Sequence, residues 1–354
     1  MCHSECISLS CGSGSIPRRK RVKISYDIIQ KLAFGVEYIE AQETRVIFSR
    51  FSKDERHALN YGMDKSFATA GVRLEFETDS RYLRVAVCTE KANPERRNFY
   101  SFDVCVNGQL IGQIKNFDAD PLFPYPEYPL SDREQTFFLG IGAKKICIYF
   151  PWSVQGMIRE IEVDDGASVV PVVKKRKILM YGDSITQGYD AGKSSASYAS
   201  KLTDQLDADG INKGIGGSIF LPALATVKGN ISSPDLVTVA YGTNEWRGSE
   251  YQPFKERCES FFENLVKNYP NTPVVVISPI WRADCAENHK LGDFSTVADV
   301  LHKVSAGYRQ LHFIDGIDFV PKDTAFFRDG YLHPNDEGFE KFADALIKNI
   351  QKLL

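Results

Sequence analysis

The chain has 354 residues, of which 43% are hydrophobic and 25% charged, a composition typical of folded globular proteins and not of disordered chains. At roughly 100–200 residues per domain, this length favours two domains. The 43 Lys and Arg residues against 46 Asp and Glu residues give a formal net charge of −3. A dedicated nucleic-acid binder has a strong basic excess, so we expect no nucleic-acid partner.

The start of the chain shows no targeting pattern. No apolar run approaches the roughly 18–20 residues that span a bilayer, and residues 1–16 lack the basic stretch followed by an apolar one that marks a signal peptide. We therefore expect a cytoplasmic protein that does not bind membranes. Residues 1–23 are predicted to be a tail.

The eight cysteines indicate a reducing compartment and no metal site. Cys88, Cys105 and Cys147 lie inside β-like runs, where a free thiol usually acts as a small hydrophobic residue. A second group lies in the predicted tail and matches no paired zinc spacing, namely Cys2, His3, Cys6 and Cys11.

Residues 24–166 are predicted to form a β-sandwich or jelly-roll domain. They contain about eight short β-like runs with turn signals between them and no interleaved helices. Asn107-Gly108 between two runs is a strong hairpin signal. The runs are Val46–Phe51, Val72–Thr78, Tyr82–Thr89, Ser101–Val106, Gln109–Ile114, Thr136–Leu139, Lys145–Phe150 and Met157–Val163.

Residues 167–177 are predicted to be a linker, and residues 178–354 an α/β domain. In the latter, apolar strands alternate with amphipathic helices, which implies a parallel sheet covered on both sides, with the active centre at the carboxyl ends of the strands. The strand candidates are Ile178–Tyr181, a run near Ile211-Asn212, Leu236–Tyr241, Val274–Ile277 and Leu311–Ile314. The helix candidates are Ser197–Leu206, Phe254–Asn268, Ser295–Arg309 and Asp336–Leu353, the last with Asn335 as its N-cap.

A candidate nucleophile follows the first strand of the second domain. The segment Gly182-Asp183-Ser184-Ile185-Thr186-Gln187-Gly188 fixes five positions of the pattern Gly-Asp-Ser-x-Thr-x-Gly, which a chain of this length matches by chance roughly once in several thousand cases. A serine at a strand-to-helix turn has its hydroxyl at the rim of the sheet and its amide at a helix N-terminus. Ser184 therefore suits nucleophilic catalysis.

A serine hydroxyl needs a base within hydrogen-bond reach. Among the six histidines, His333 stands in a loop between the last strand and the last helix, in Asp329-Gly330-Tyr331-Leu332-His333-Pro334-Asn335. The other histidines lie in the tail, in the β-rich half, in a polar loop or inside predicted elements. His333 is therefore the predicted base, and Asp329 the group that orients its imidazole.

Two glycine- and asparagine-containing loops offer donors for an oxyanion. The loop Asn212–Gly217 follows the second strand of the domain, and Gly242–Trp246 follows the third. Glycine allows an N–H group to approach a substrate oxygen, and an asparagine amide adds a further donor. In strand order with Ser184 and His333, the two loops predict an acyl-transfer site.

These four loops resemble the four sequence blocks of the SGNH (GDSL) hydrolase superfamily, over about residues 176–354. The resemblance implies a three-layer, flavodoxin-like α/β domain with Ser184 as nucleophile and His333 as base. It also implies an oxyanion hole formed by the amides of Ser184 and Gly217 and the side chain of Asn244. The family's acid usually stands three residues before the histidine, whereas Asp329 stands four before it. A bend at Gly330-Tyr331 brings Asp329 to the ring in one alternative, and a Ser-His dyad operates in the other.

A β-rich domain joined to an SGNH domain is similar to the arrangement of family-2 carbohydrate esterases, which remove acetyl groups from sugars. On this likeness, Trp246, Trp281 and Arg282 are candidate substrate-binding residues, with packing at the rim of the sheet as the alternative.

The sequence therefore predicts a serine esterase that acts without a metal or organic cofactor on a small-molecule or oligosaccharide ester, with acetyl on a carbohydrate as the favoured group. The alternatives are a lipase- or thioesterase-type acylhydrolase and a non-catalytic carbohydrate-binding protein. The sequence leaves a homo-oligomer open.

Overall fold

The computed structural model describes residues 20–59, 62–92 and 96–353. Two antiparallel sheets form the first half of the molecule, and a parallel sheet flanked by helices forms the second. The predicted α/β organisation is confirmed for the second half, whereas the jelly-roll topology of the first half stays a prediction. The cluster of Cys2, His3, Cys6 and Cys11 lies outside the described residues. None of the described helices combines the length and the apolar character needed to cross a membrane.

The first half packs its two sheets face to face around one apolar core. Alternate residues such as Val85 and Val87 of one sheet and Ile146 and Ile148 of the other are fully buried in that core, as the period of two in a strand requires. The sheet orders are β3-β4-β11-β6-β9, with β1 added on β11, and β12-β5-β10-β7-β8, with β2 added on β5. The strands are β1 (Arg21–Lys23), β2 (Ala33–Phe34), β3 (Tyr38–Ala41), β4 (Val46–Ser49), β5 (Arg73–Thr78), β6 (Tyr82–Lys91), β7 (Ser101–Val106), β8 (Gln109–Lys115), β9 (Arg133–Phe138), β10 (Lys144–Tyr149), β11 (Val154–Asp164) and β12 (Val170–Pro171).

Two features of this half follow directly from the sequence. Asn107 and Gly108 both have positive φ (50° and 81°) and join β7 to β8 in the hairpin that the dipeptide predicts. Cys88, Cys105 and Cys147 are buried free thiols, as expected of cysteines inside strands.

The edges of the first half differ from the expected pattern. Arg21–Lys23, in the predicted tail, pair with β11, and Val170–Pro171, in the predicted linker, pair with β5. Two short helices, α1 (Tyr26–Lys31) and α2 (Lys53–Ala58), also lie among the strands. These elements are too short for their periodicity to be seen in the sequence.

The second half has a five-stranded parallel sheet in the order β14-β13-β15-β16-β17, which is the 2-1-3-4-5 order of flavodoxin-like sheets. Its strands are β13 (Arg176–Gly182), β14 (Ala208–Gly214), β15 (Leu236–Ala240), β16 (Val274–Ile277) and β17 (Leu311–Ile314). Its helices are α3 (Ser184–Gln187), α4 (Tyr198–Gln205), α5 (Pro222–Thr226), α6 (Thr243–Gly248), α7 (Tyr251–Asn268), α8 (Ser295–Ser305) and α9 (Asp336–Ile350), the last capped by Asn335 as predicted.

Helices cover both faces of this sheet. Ile178 and Met180 of β13 pack with α4 and α9, while Leu179 and Tyr181 face the opposite way into the core of α5, α7 and α8. Parallel strands buried on both faces are expected to be continuously apolar. The loops at the strand ends are therefore the places where polar side chains can reach a ligand.

Buried polar contacts hold the two halves together beside β14. The guanidinium group of Arg50 donates to the carbonyl oxygens of Asn212 (2.8 Å) and Gly214 (2.6 Å). Next to it, Lys213 Nζ lies 2.7 Å from carboxylate oxygens of both Glu37 and Glu55. The first half thus fixes the carboxyl end of β14, from which the predicted oxyanion loop begins.

Candidate active site

Ser184 lies at the turn from β13 into α3, as the sequence predicts for a nucleophile. Asp183 caps the helix by accepting a hydrogen bond from the Ile185 amide at 3.0 Å. Ser184 is the first residue of the helix and is only 3% exposed. The N–H group of a first helical residue has no partner within its helix, so this amide is available to a ligand.

His333 lies in the loop before α9 with its imidazole between Ser184 and Asp329. His333 Nε2 is 2.9 Å from Ser184 Oγ, and His333 Nδ1 is 2.6 Å from Asp329 Oδ2. Because an ionised carboxylate only accepts hydrogen bonds, Nδ1 carries the hydrogen and Nε2 is left to accept the serine hydroxyl proton. The three side chains form a continuous line from carboxylate to hydroxyl.

The extra residue between Asp329 and His333 is absorbed by a tight turn. Gly330 has φ +78°, a left-handed conformation that glycine adopts without strain. Asp329 Oδ1 then accepts the backbone N–H groups of Tyr331 (3.1 Å), Leu332 (2.8 Å) and His333 (3.0 Å). The turn therefore brings Asp329 to the imidazole despite its shifted position in the sequence.

These contacts keep Asp329 ionised. Burial alone raises the pKa of a carboxyl group, but the hydrogen bond and charge of His333 and the backbone N–H groups of Leu332 and His333 outweigh it. The pKa of Asp329 is consequently lowered to about 2. At any pH near neutrality, a negative charge faces the imidazole.

The glycine loop after β14 presents one unused amide. The N–H of Gly214 donates to Asn212 Oδ1, and that of Gly216 donates to Gln187 Oε1, both at 2.8 Å. Gly217 has φ +77°, and among the described residues none accepts a hydrogen bond from its N–H. Of these three glycines, Gly217 is therefore the one with an amide free for a ligand.

Asn244 lies at the start of α6 against the same loop. Its Nδ2 donates to the carbonyl oxygen of Ser218 at 2.8 Å. An amide NH₂ group has two hydrogens, so one donor remains. The structure thus brings the Asn244 side chain beside the Gly217-Ser218 segment.

Close packing holds the glycine loop against the turn that carries Ser184. A Cβ atom at Gly214 would lie 2.4 Å from the Gln187 amide nitrogen, so only glycine permits this approach. On the other side, Lys65 of the first half donates from Nζ to the Gly216 carbonyl oxygen at 3.0 Å. The position of the loop therefore depends on both halves of the molecule.

Two of the three predicted substrate-binding side chains are buried, which corrects the prediction. Trp246 is 0% exposed and donates from Nε1 to the Gly292 carbonyl oxygen at 3.0 Å. Arg282 is 1% exposed and pairs with Asp284. Both side chains are enclosed by protein and offer no face to a sugar ring. Trp281 is partly exposed and packs on Phe327 with a centroid distance of 5.4 Å.

The structure adds two charged residues that the sequence reasoning missed. Asp190, two residues beyond Gly188, is fully buried, with Oδ2 3.6 Å from His333 Nδ1. Arg97 of the first half pairs with Asp190 at 2.9 Å. Neither residue belongs to a motif. Only the fold brings Arg97 to a histidine 236 positions away.

A cation does not fit this cluster. Asp190, Asp329 and His333 have ligand atoms within 4.8 Å of one another. However, the guanidinium group of Arg97 already neutralises Asp190, and Nδ1 of His333 already contacts Asp329. A metal ion would break the ion pair between Arg97 and Asp190 and would be repelled by the positive charge of Arg97.

Comparison with protein families now gives a direct test of the motif. Residues 180–341 match the model of the GDSL-like Lipase/Acylhydrolase family. The matched segment includes Ser184, Gly217, Asn244 and His333, and the resemblance inferred from the four loops is confirmed. A sequence comparison with curated proteins found no match.

Solved structures match nearly the whole chain. The salicylyl-acyltransferase SsfX3 from a tetracycline biosynthetic pathway has a TM-score of 0.77 and 20% sequence identity, covering 95% of this chain and 97% of that one. A family-two carbohydrate esterase from Clostridium thermocellum, solved with cellohexaose, has a TM-score of 0.63 and 15% identity, covering 91% and 99%. The acetyl xylan esterase Est2A from Butyrivibrio proteoclasticus also has a TM-score of 0.63 and 15% identity, covering 94% and 98%. At these identities the matches show a shared fold, which spans both halves of the chain.

Proposed function

We propose that this protein is a serine esterase that hydrolyses short acyl esters, with acetyl esters of carbohydrates as its substrates. The observation that carries the proposal is the line of contacts from Ser184 Oγ through the His333 imidazole to Asp329, at 2.9 and 2.6 Å. Such a line activates a hydroxyl that is otherwise a poor nucleophile at neutral pH.

In the first step, Ser184 Oγ attacks the ester carbonyl carbon as its proton passes to His333 Nε2. The negative charge that develops on the carbonyl oxygen is stabilised by the amides of Ser184 and Gly217 and by Asn244 Nδ2. The carbon–oxygen bond to the alcohol then breaks, and His333 returns the proton to the departing oxygen. An acyl group remains on Ser184.

In the second step, water attacks the acyl group and gives its proton to His333. The carboxylic acid leaves, and the proton returns to Ser184 Oγ. Every proton and electron pair in this cycle is handled by groups of this chain, so we propose a reaction that requires neither a metal ion nor an organic cofactor.

We also propose that Asp329 makes the site a triad and not a dyad. Its carboxylate holds the ring in the tautomer that leaves Nε2 unprotonated, and its charge stabilises the imidazolium that forms during attack. The pKa of about 2 supports this role, because the group stays ionised throughout the working range.

Carbohydrate acetyl esters are proposed as substrates because carbohydrate esterases share the fold of both halves. Trp281 is the remaining candidate for contact with a sugar, since it lies past β16 and is partly exposed. Acyl transfer to an acceptor hydroxyl is the second candidate function, because SsfX3, which has this fold, is described as an acyltransferase.

The proposal is tested with Ser184→Ala, which keeps the fold and removes the nucleophile. We expect hydrolysis of p-nitrophenyl acetate to fall by a factor on the order of 10⁶, while the circular dichroism spectrum is unchanged. A chain-length series of p-nitrophenyl esters and a panel of acetylated mono- and oligosaccharides identify the acyl group and the alcohol. Adding an acceptor alcohol to the assay distinguishes hydrolysis, which gives the free acid, from acyl transfer, which gives a new ester. Unchanged hydrolysis by the variant would refute the mechanism.

A further inference from the structure

The His333 imidazole faces a second carboxylate that the proposed mechanism does not use. Asp190 is 0% exposed, and its Oδ2 lies 3.6 Å from the same nitrogen that contacts Asp329. Its backbone has φ +69°, which a residue other than glycine rarely adopts. Two buried carboxylates therefore approach one imidazole edge.

An arginine from the first half of the chain neutralises this second carboxylate. Arg97 Nε lies 2.9 Å from Asp190 Oδ1, and Arg97 Nη2 lies 3.3 Å from Oδ2. The same Nη2 is 3.5 Å from His333 Nδ1 and 3.9 Å from Asp329 Oδ2. The guanidinium group thus contacts both carboxylates and the imidazole.

Aromatic rings fix the guanidinium group in this position. Its central carbon lies 5.5 Å from the ring centroid of Tyr189, 5.6 Å from that of Tyr125 and 5.9 Å from that of Phe123. Phe123 and Tyr125 belong to the first half, whereas Tyr189 belongs to the second. The side chain is only 15% exposed, so its charge is weakly screened by water.

The other charged groups around the imidazole are paired elsewhere or act at longer range. Arg328 donates from Nε to the Asp190 carbonyl oxygen at 2.6 Å, and its Nη2 lies 3.8 Å from Asp336. Asp183, whose pKa burial raises to about 6, faces the imidazole from the cap of α3. The ring of Tyr189 lies 5.6 Å from that of His333. Besides Asp329, Asp190 and Arg97 are the charged groups among the described residues whose side chains lie within 4 Å of His333 Nδ1.

We propose that Arg97 and Asp190 form a positioning pair through which the first half of the chain sets the charge balance at His333. The inference rests on the proposed function, because it assigns His333 the role of base. With the pair intact, the imidazole interacts with the net charge of one carboxylate, Asp329. Without Arg97 it faces two carboxylates, and without Asp190 it faces a guanidinium group that has lost one of its carboxylate partners. Loss of Arg97 should therefore stabilise the imidazolium, and loss of Asp190 should destabilise it.

Neutral variants of similar shape test this inference in the full chain. An opposite charge within about 4–6 Å shifts a titration by about one to three pH units. In Arg97→Gln, uncompensated Asp190 stabilises the imidazolium, so we expect the acidic limb of the pH profile of kcat/KM to move up by at least about one unit. In Asp190→Asn, one negative charge beside the imidazole is lost while the positive charge of Arg97 remains, so the imidazolium is less stable and the limb moves down. The double variant restores the wild-type position.

Two controls separate this effect from a general loss of structure. Tyr149→Phe removes another contact between the halves, the 2.7 Å hydrogen bond to Asp204, and should leave the limb in place. Arg97→Lys keeps the positive charge and should hold the limb near its wild-type position. If the Arg97→Gln protein does not fold, a downward shift in Asp190→Asn together with an unmoved limb in Arg97→Lys supports the positioning pair, and any other combination overturns it.

The outcomes distinguish this inference from the proposed function. The positioning pair is overturned, and the esterase is not, if the wild-type protein shows hydrolysis that depends on Ser184 but the limb of the pH profile does not move in the single variants. The same conclusion follows if the limb moves in the same direction in both single variants. Absence of hydrolysis that depends on Ser184 overturns both.

Discussion

Two groups of buried charges lie where the halves of the molecule meet. They differ in whether hydrogen-bond donors beside them remain without an acceptor. Lys213 Nζ donates to Glu37, to Glu55 and to the Arg50 carbonyl oxygen, each at 2.7 Å. An ammonium group has three hydrogens, so all of them are used. The side chains of Lys213, Glu37 and Glu55 are at most 1% exposed. This group can only hold the structure together.

The group around His333 also contains buried charges, but hydrogen-bond donors next to it have no acceptor. Oδ1 of Asp329 accepts three backbone N–H groups, and Asp190 is paired with Arg97. In contrast, the amides of Ser184 and Gly217 have no acceptor among the described residues. Unused donors beside a nucleophile therefore distinguish a reactive site from a structural ion pair, whereas buried charge alone does not.

Turnover should depend strongly on Asp329. Asp329→Asn keeps the shape of the side chain but favours the wrong imidazole tautomer, so we expect kcat for p-nitrophenyl acetate to fall by a factor on the order of 10⁴. Asp318→Asn, at an exposed surface carboxylate paired with Lys322, serves as the control and should not change kcat. A loss of less than about tenfold in Asp329→Asn would favour a Ser-His dyad.

The buried ion pairs of Lys213 should contribute to the stability of the fold. Lys213→Met leaves Glu37 and Glu55 buried without their cation, which should lower the free energy of unfolding by about 3–5 kcal/mol. Lys267→Met is the matched control, because Lys267 makes an ion pair of the same length, 2.7 Å, at a surface position where both side chains are more than half exposed. Its loss should be at most about 0.5 kcal/mol. Urea unfolding measures both, and equal losses would contradict the distinction between the two sites.

The unused donors are tested by Asn244→Ala. Loss of one oxyanion donor should reduce kcat by about 10²–10³-fold with a smaller change in KM. Asn264→Ala removes an asparagine that donates to the Pro222 carbonyl oxygen at 3.1 Å, away from Ser184, and should leave kcat unchanged. If Asn244→Ala raises KM alone, Asn244 binds the substrate equally in ground and transition states and is not an oxyanion donor.

Glu245 is a buried carboxyl group that makes no ion pair with any of the described residues. It is 0% exposed, its Oε2 has no hydrogen-bond partner among the described residues, and burial raises its pKa to about 7. Between about pH 4.5 and 7 the unfolded chain releases a proton that the folded protein retains, so stability falls as pH rises and the cost is complete above pH 7.

Glu245→Gln removes this titration. The variant should therefore gain stability over wild type between pH 5 and pH 8, by at most about 3 kcal/mol. Unfolding curves at the two pH values measure the gain. If the free energy of unfolding changes equally in wild type and variant between pH 5 and pH 8, Glu245 does not titrate in this range.

Much of the fold could be predicted because its main elements are long enough to show a period. The strands Ser101–Val106, Val274–Ile277 and Leu311–Ile314 have the predicted bounds, and the last helix begins at the predicted Asp336. The short strands Ala33–Phe34 and Val170–Pro171 escaped prediction, since two residues carry no periodicity and pair only because the sheet is already present.

The site divides in the same way. Ser184 and His333 stand in motifs whose chemistry can be read from the residues, and the turn at Gly330 explains how Asp329 reaches the ring despite its spacing. Arg97 and Lys65 belong to the other half of the chain, and their contacts arise from how the two halves pack. Trp246 was misassigned because position after a strand does not determine whether a side chain points into a cleft or into the core.

Labelling with a fluorophosphonate reports whether His333 activates Ser184, because the probe reacts covalently with an activated serine. We predict one adduct per wild-type chain, located by peptide mass spectrometry on Ser184, and no adduct in Ser184→Ala or His333→Ala. An unlabelled wild-type protein, or an adduct that persists when His333 is replaced, would contradict an imidazole-activated Ser184.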